Sequence, residues 1–253
     1  MKNTFSLLVL MAVATISCDK ENSTPAENPV IIQSGGDITN AVANFRNLLG
    51  TLNTAPGATS GRREINWDGV PDSLEGKALP LDFFNPVGAN ADASLQRGLT
   101  YDPGKGAFMV SGNSFAQINS DAASQFSAFS GTKTFANTTA AQWPVGFQKA
   151  GTTETAAVLG FGAVFSDVDE TSTTSLEFFD GEKSLGKYFV PPHDNSNSFS
   201  FLGVYFKNNQ RITKVQVTHN GFLAEGVKDI SEGGTKDLVV LDDFIYSEPL
   251  AIQ

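Results

Sequence analysis

The chain has little positive charge, almost no cysteine and almost no histidine. Its 253 residues include one Cys, two His and 17 Lys+Arg against 27 Asp+Glu, which gives a formal net charge of −10. One cysteine excludes an internal disulfide and every thiolate-clustered metal site, and two histidines exclude a three-histidine zinc site. Nucleic acids are held through basic patches. An acidic chain without a Lys/Arg cluster is therefore not expected to bind them.

Apolar residues are present in sufficient number to build a core. They make up 40% of the chain and include 20 Phe, whereas Trp and Tyr together number six. This composition is that of a globular protein rather than a disordered one. Because all-β sandwiches often exceed 200 residues and no internal repeat is visible, the sequence predicts a single folded domain.

The first 17 residues have the pattern of a signal peptide. Lys2 supplies a positive start, and the apolar run from Leu7 to Ile16 is too short to span a bilayer. The run Thr15-Ile16-Ser17-Cys18 resembles the lipobox of bacterial lipoproteins. That resemblance implies cleavage before Cys18 and a lipid anchor on its thiol. The expected location is the bacterial outer membrane, facing either the periplasm or the cell surface.

Residues 18–36 are predicted to be a flexible tether, and residues 37–253 a single domain. The tether contains many Asn, Ser, Pro and Glu, a composition that favours solvated chain. The acidic, lysine-containing start of the tether resembles the surface-export signals of Bacteroidota-type lipoproteins, and it is equally consistent with a solvated linker. From Asp37 to Gly50 the apolar residues recur at helical spacing, which predicts an amphipathic helix packed on a sheet.

The rest of the chain has the pattern of short strands separated by turn dipeptides such as Asn220-Gly221. Alternation of polar and apolar residues, as in Lys214–Thr218, is typical of strands with one wet face. The sequence thus predicts an all-β, antiparallel sandwich of jelly-roll or carbohydrate-binding-module type. Residues 111–155 fit either weak strands or a long packed loop. The predicted strands are Glu64–Trp67, Ala107–Val110, Ala156–Phe165, Ser175–Phe179, Leu185–Val190, Ser198–Phe206, Thr213–Thr218 and Leu238–Tyr246.

Several motifs resemble an uncharacterised family of exported bacterial domains, some of which carry PEP-CTERM-type sorting tails. The matching runs span about residues 42–249 and include GRREINWDGVPD at 61–72, GFGAVFSDVD at 160–169, SLEFFD at 175–180 and DLVVLDDFIYSEP at 237–249. The resemblance implies a surface β-sandwich of carbohydrate-binding-module or lectin-like build. The resemblance does not identify any catalytic residue in this chain.

Two groups of residues are candidates for binding sites. In the last strand Asp242 and Asp243 are adjacent, so one carboxylate must turn inward or meet a compensating partner, and a cation is expected beside it. That cation is either a structural Ca²⁺ held by Asp242 or Asp243 with Glu64 or Asp68, or an arginine among Arg62, Arg63 and Arg97. For a sugar platform the candidates are Trp143, placed beside Pro144 in an expected loop, and Tyr101.

Three functions remain open at the level of sequence. A non-enzymatic module that binds a surface glycan ranks first, and a structural or adhesion lipoprotein that contacts protein ranks second. A glycan-acting hydrolase built on paired carboxylates ranks third. A serine hydrolase is disfavoured because no G-x-S-x-G motif occurs and because His193 and His219 are expected in exposed loops.

Overall fold

Fourteen antiparallel strands and one α-helix make up the regular structure of the residues that the computed structural model describes, namely 28–102, 104–193, 198–207 and 210–252. Cys18 and the signal peptide lie outside those residues. The bounds are β1 Val30–Gly36, α1 Thr39–Leu49, β2 Arg62–Ile65, β3 Leu99–Tyr101, β4 Phe108–Ser111, β5 Thr134–Asn137, β6 Gln142–Phe147, β7 Ala156–Ala157, β8 Gly160–Ser166, β9 Ser175–Asp180, β10 Lys183–Phe189, β11 Phe199–Tyr205, β12 Lys214–Thr218, β13 Val240–Ser247 and β14 Leu250–Ala251. Short 3₁₀ turns occur at Asp72–Leu74, Ala122–Gln125 and Ile230–Glu232.

The strands form two main sheets that pack face to face, as the sequence predicts for an all-β sandwich. The larger sheet has the order β1-β11-β8-β13-β5-β4, with β2 also paired to β13, and the smaller has the order β10-β9-β12-β6-β3. The core between them is aromatic, because Trp143 of β6 meets Phe108 and Phe135 of the other sheet edge to face. The fold class predicted from the sequence is confirmed.

Helix α1 lies on the outer face of the larger sheet. Asp37 Oδ1 accepts a hydrogen bond from Thr39 N at 3.0 Å, and Gly50, with φ of 94°, ends the helix. Phe45 is fully buried and packs edge to face on Phe201. A Cβ on Gly203 would lie 2.7 Å from the Phe45 ring, so the sheet must carry a glycine there for the helix to dock so closely. The predicted helix is confirmed, with its ends inside the predicted bounds of 37 and 50.

The predicted tether is too long at its C-terminal end. Residues Val30–Gly36 form edge strand β1, which pairs with the whole length of β11. Only one face of this strand is covered, by contacts such as that of Ile32 with the hydrophobic cluster under α1. The other face is exposed, so the segment has little apolar pattern to distinguish it from a linker. Pairing with β11, about 170 residues later, makes the segment a strand. The predicted domain boundary at residue 37 therefore moves towards the N-terminus.

The ambiguous stretch 111–155 contains strands β5 and β6 besides packed loops. Strand β5 has only four residues and β6 carries Pro144 inside it, so their local pattern is weak, and they form because both are paired with neighbouring strands. Within the described residues, no helix is both long and apolar enough to cross a bilayer.

Candidate functional site

A β-bulge in β13 sets the direction of the two adjacent aspartates. Between Leu241 and Phe244 three steps along β13 are paired with two steps along β8, so one residue is extra. Asp242 accepts a hydrogen bond from Ser130 N at 2.9 Å, and Asp243 accepts one from Ser130 Oγ at 2.5 Å. Both carboxylates therefore lie on the same side of the strand. The bulge cancels the normal alternation, so of the two expected outcomes, an inward-pointing carboxylate or a compensating partner, the second is found.

Arginine, and not a metal, sits between the carboxylates that the sequence suggested as calcium ligands. Arg46 Nη2 lies 2.9 Å from Glu64 Oε2 and 2.9 Å from Asp243 Oδ2. Arg46 Nε donates to Glu64 Oε1 at 3.0 Å, and Arg62 Nε donates to the same oxygen at 2.6 Å. Two guanidinium groups thus satisfy the charge of Glu64 and Asp243. The salt-bridge alternative holds, with Arg46 of α1 as the cation that sequence reasoning missed.

One oxygen each of Asp242 and Asp68 is held mainly by backbone amides, while Asp242 Oδ1 and Asp68 Oδ2 are buried without a hydrogen-bond partner in the part of the chain that the structure describes. Asp242 Oδ2 accepts from the N–H groups of Phe129 and Ser130, while Asp68 Oδ1 accepts from Thr132 N at 2.9 Å. Burial, followed by the negative charge of Asp243, raises the pKa of Asp242 to about 8, against the lowering effect of the two N–H groups. The four suggested ligands, Glu64, Asp68, Asp242 and Asp243, do not form a common cage among the described residues. That assignment of the metal site is therefore wrong.

The network around Arg46 lines a polar cleft beside α1. The cleft has a volume of about 300 Å³, and polar side chains provide most of its wall. Asn66 at the end of β2 is exposed to solvent, and Leu52 forms an apolar rim. Arg97 donates to the carbonyl oxygen of Glu64 and thereby joins the loop before β3 to β2. The cleft is lined by Arg46, Leu52, Asn53, Thr54, Glu64, Asn66, Arg97, Ser130 and Asp243.

The two aromatic residues suggested as sugar platforms are part of the core. Trp143 is 0% exposed and Tyr101 is 5% exposed, and both contact Phe108 across the sandwich. Pro144 does not mark a loop here, because β3 ends at Tyr101 opposite Val145 and leaves the β6 edge at Pro144 without a partner on that side. Neither ring can present a face to a ligand, so both assignments are wrong.

Both histidines are also buried rather than exposed. His193 Nε2 accepts a hydrogen bond from Val168 N at 3.0 Å, which fixes the end of β8. Burial lowers the pKa of His219 to about 4, so this imidazole is neutral at physiological pH. The expectation of exposed loop histidines is wrong, since the loops that carry them pack against strands.

A second group of carboxylates converges where β8 leaves the sheet. Asp167, Asp169 and Asp229 each offer a carboxylate oxygen, and these three oxygens lie within 4.8 Å of one another. Asp167 and Asp169 follow a fully buried strand, which is a visible sequence signal, but Asp229 is some 60 residues away in a loop. Only the fold brings Asp229 to the other two.

Comparison with known proteins adds no family for this chain. No family model matches it, and no curated protein matches it either. A solved structure of a mutant of CBM29-2, a family 29 carbohydrate-binding module, is similar at 7% identity with a TM-score of 0.25. The similarity covers 48% of this chain and 74% of that chain. At that score the likeness gives no basis for an argument about the ligand of this protein.

Proposed function

We propose that this chain is a non-enzymatic binding module of the bacterial envelope, anchored by lipid on Cys18, and that it binds a glycan in the polar cleft beside α1. The observation that carries the proposal is the Arg46 network. Its guanidinium and carboxylate groups are held by hydrogen bonds of 2.6–3.0 Å before any ligand arrives. Groups positioned in advance lose little entropy when they bind.

The chemistry of the cleft suits a ligand rich in hydroxyl groups. Carboxylates accept and guanidinium groups donate hydrogen bonds in pairs, which matches adjacent sugar hydroxyls. Asn66 adds both a donor and an acceptor at the solvent side, and Leu52 offers an apolar surface for the C–H face of a sugar ring. A cleft of about 300 Å³ can hold one or two sugar rings of a longer chain.

The same geometry favours binding over hydrolysis. A glycosidase places the bond to be cleaved between two carboxyl groups. Here the space between Glu64 and Asp243 is filled by the Arg46 guanidinium, which contacts both. A substrate bond would have to displace that group and break two ion pairs.

Glycan-array binding by the purified full chain tests the ligand, and three variants test the site. Arg46→Gln and Asn66→Ala are expected to weaken binding at least tenfold, because each removes hydrogen bonds to the ligand. Asn90→Ala is the matched control, since Asn90 is exposed in a loop outside the cleft, and it should bind as the parent does. Absence of binding across the array contradicts the glycan proposal. Unchanged affinity in correctly folded Arg46→Gln and Asn66→Ala would show that the glycan does not bind in this cleft.

A protein ligand is the second candidate, and a different cavity favours it. This cavity of about 360 Å³ is amphipathic, with Leu48, Tyr205 and Leu250 beside Arg211 and Glu248. Leu48 and Leu250 are both substantially exposed on its rim, a feature typical of contact surfaces. A pull-down that depends on Leu48 but not on Asn66 would support adhesion instead of glycan binding.

The lipid anchor is tested separately from the ligand. The full chain expressed in a bacterium should fractionate with membranes and incorporate labelled fatty acid. Cys18→Ala should abolish both without changing the melting midpoint of the domain. Membrane association that persists in Cys18→Ala contradicts the anchor.

A further inference from the structure

The loop after β8 and the loop before β13 meet at a cluster of buried carboxylates. Asp167 is 1% exposed, Asp229 is fully buried and Asp169 is partly exposed. Asp167 and Asp169 follow the last residue of β8, whereas Asp229 precedes the 3₁₀ turn Ile230–Glu232. One oxygen from each lies within 4.8 Å of the other two.

The backbone around this cluster is fixed by hydrogen bonds to the carboxylates of Asp229 and of the neighbouring Asp237. Asp229 Oδ1 accepts from Ser231 N at 2.8 Å, and Asp229 Oδ2 accepts from Leu238 N at 2.7 Å. The neighbouring Asp237 accepts from the N–H groups of Asp169 and Glu170 at 3.2 and 3.3 Å. These bonds hold the Asp229 carboxylate and the backbone of Asp169 in place.

Two oxygens at the centre of the cluster have no hydrogen-bond donor. Asp167 Oδ2 and Asp169 Oδ2 are shielded from solvent and lack a partner among the described residues. Leaving an ionised carboxylate oxygen in that state is costly unless a cation or a proton compensates for it. Asp167 is itself almost completely buried, so bulk solvent does not surround its carboxylate.

No side-chain cation within the described residues plays that part. None of the Lys or Arg ion pairs in those residues involves Asp167, Asp169 or Asp229. The other charged groups that act on Asp167 are Asp237 and Glu232, both acidic. The two unpaired oxygens therefore need an added cation, or a retained proton, to compensate for their charge.

We propose that Asp167, Asp169 and Asp229 bind a Ca²⁺ ion that joins the end of β8 to the loop before β13. The donors are hard oxygens without His or Cys, which suits Ca²⁺ or Mg²⁺ and not zinc. Ca²⁺ accepts six to eight oxygens in flexible geometry, so three carboxylates can be completed by water that enters beside the partly exposed Asp169. Mg²⁺ requires a near-ideal octahedron and releases its own water reluctantly.

Calorimetric titration of the metal-stripped full chain with CaCl₂ at pH 7.5 tests the site directly. We expect one ion per chain with a Kd of about 10⁻³ M or tighter, the range of extracellular calcium modules. Mg²⁺ should bind at least tenfold more weakly. The melting midpoint should rise with added Ca²⁺ and return on addition of EDTA.

Two variants in the cluster and one outside it make the result specific. Asp167→Asn and Asp169→Asn should weaken Ca²⁺ binding at least tenfold, while their metal-free midpoints stay equal to or above that of the parent because repulsion is removed. Asp242→Asn is the matched control, since it changes a buried carboxylate at the other acidic site, and it should keep the full Ca²⁺ response.

The alternative outcome is a cluster that retains protons and binds no metal. In that case CaCl₂ at millimolar concentration changes neither the heat signal nor the midpoint of the parent, and the proposal is wrong. Calcium binding that survives in both Asp167→Asn and Asp169→Asn also overturns the assignment of these residues.

Discussion

Arg63 and Glu248 form a buried, two-point ion pair between β2 and the end of β13. Arg63 Nε lies 2.6 Å from Glu248 Oε2, Arg63 Nη2 lies 2.7 Å from Glu248 Oε1, and the side chains are 0% and 2% exposed. Arg63 also donates to the carbonyl oxygen of Ala55 at 2.9 Å. The pair therefore connects the loop before β2 to the strand that carries the acidic bulge.

Removing one partner of this pair should destabilise the fold strongly. Glu248→Gln leaves a buried guanidinium without its counter-charge, and we expect a loss of about 3–5 kcal/mol in the free energy of unfolding. Urea denaturation monitored by tryptophan fluorescence measures the loss. The control is Glu154→Gln, which breaks the exposed Lys149–Glu154 pair and should cost about 1 kcal/mol or less. Equal effects of the two changes would contradict the importance of burial.

Trp143→Ala should affect stability and not ligand binding. The ring fills the core between the sheets and touches Phe108 and Phe135, so its removal should cost about 3–5 kcal/mol in the free energy of unfolding. Phe189→Ala is the control, because Phe189 is an exposed strand residue whose loss should change stability little. Any glycan bound by the parent should be bound by the folded fraction of Trp143→Ala with the same affinity. A specific loss of glycan affinity in folded Trp143→Ala would show that Trp143 contacts the ligand.

Gly203→Ala should displace helix α1 from the sheet. The added methyl group would lie 2.7–2.9 Å from three carbons of the buried Phe45 ring, with no room for the ring to move. We expect a loss of about 1–3 kcal/mol, the usual cost of overpacking a core. Gly69→Ala is the matched control, since a Cβ there meets no atom within 4 Å. If Gly203→Ala and Gly69→Ala unfold at the same denaturant concentration, the predicted clash with Phe45 is contradicted.

The buried Asp242 should make the protein less stable as the pH rises towards 8. Its folded pKa of about 8 lies above the ordinary aspartate value of 3.8, so its contribution to stability is full below pH 3.8 and is lost as pH rises through 8. His219, with its pKa lowered to about 4, acts in the opposite direction and only below about pH 6.5.

The test is therefore made between pH 6.5 and 8, where His219 no longer contributes. The free energy of unfolding should decline by up to about 1.4 kcal/mol per pH unit from Asp242, and Asp242→Asn should remove that part of the slope. Asp243 and Asp68 are the charged groups that raise this pKa, so an Asp68→Asn variant should lower it and make the decline end at a lower pH. A slope identical in the parent and in Asp242→Asn would refute the assignment.

Much of the fold follows from local patterns in the sequence. The period of two in Lys214–Thr218 and the apolar run Ala156–Phe165 predict strands; the first is found as β12, and the second is divided into β7 and β8. The helical spacing between Asp37 and Gly50 predicts α1 with its buried Val42 and Phe45. These elements are predictable because their own side chains carry the information that separates a buried face from a wet one.

The sites were much less predictable, because their partners are distant in the chain. Arg46 and Asp243 are 197 residues apart, and nothing in either segment indicates which cation meets which carboxylate. The bulge at Asp242 and Asp243 depends on the pairing of β13 with β8. Strand β1 depends in the same way on β11. A weak local pattern becomes structure only when a partner strand satisfies its backbone groups.

The sequence by itself determined the all-β class, the helix between Asp37 and Gly50, the excess of negative charge and the exclusion of disulfide and thiolate chemistry. Only the tertiary structure decided that Trp143 and Tyr101 belong to the core, that Arg46 holds Glu64 and Asp243 together, and that Asp167, Asp169 and Asp229 converge. The physical reason is that composition and periodicity act over a few residues, whereas charge compensation and aromatic packing are settled between strands that meet only in the folded sandwich.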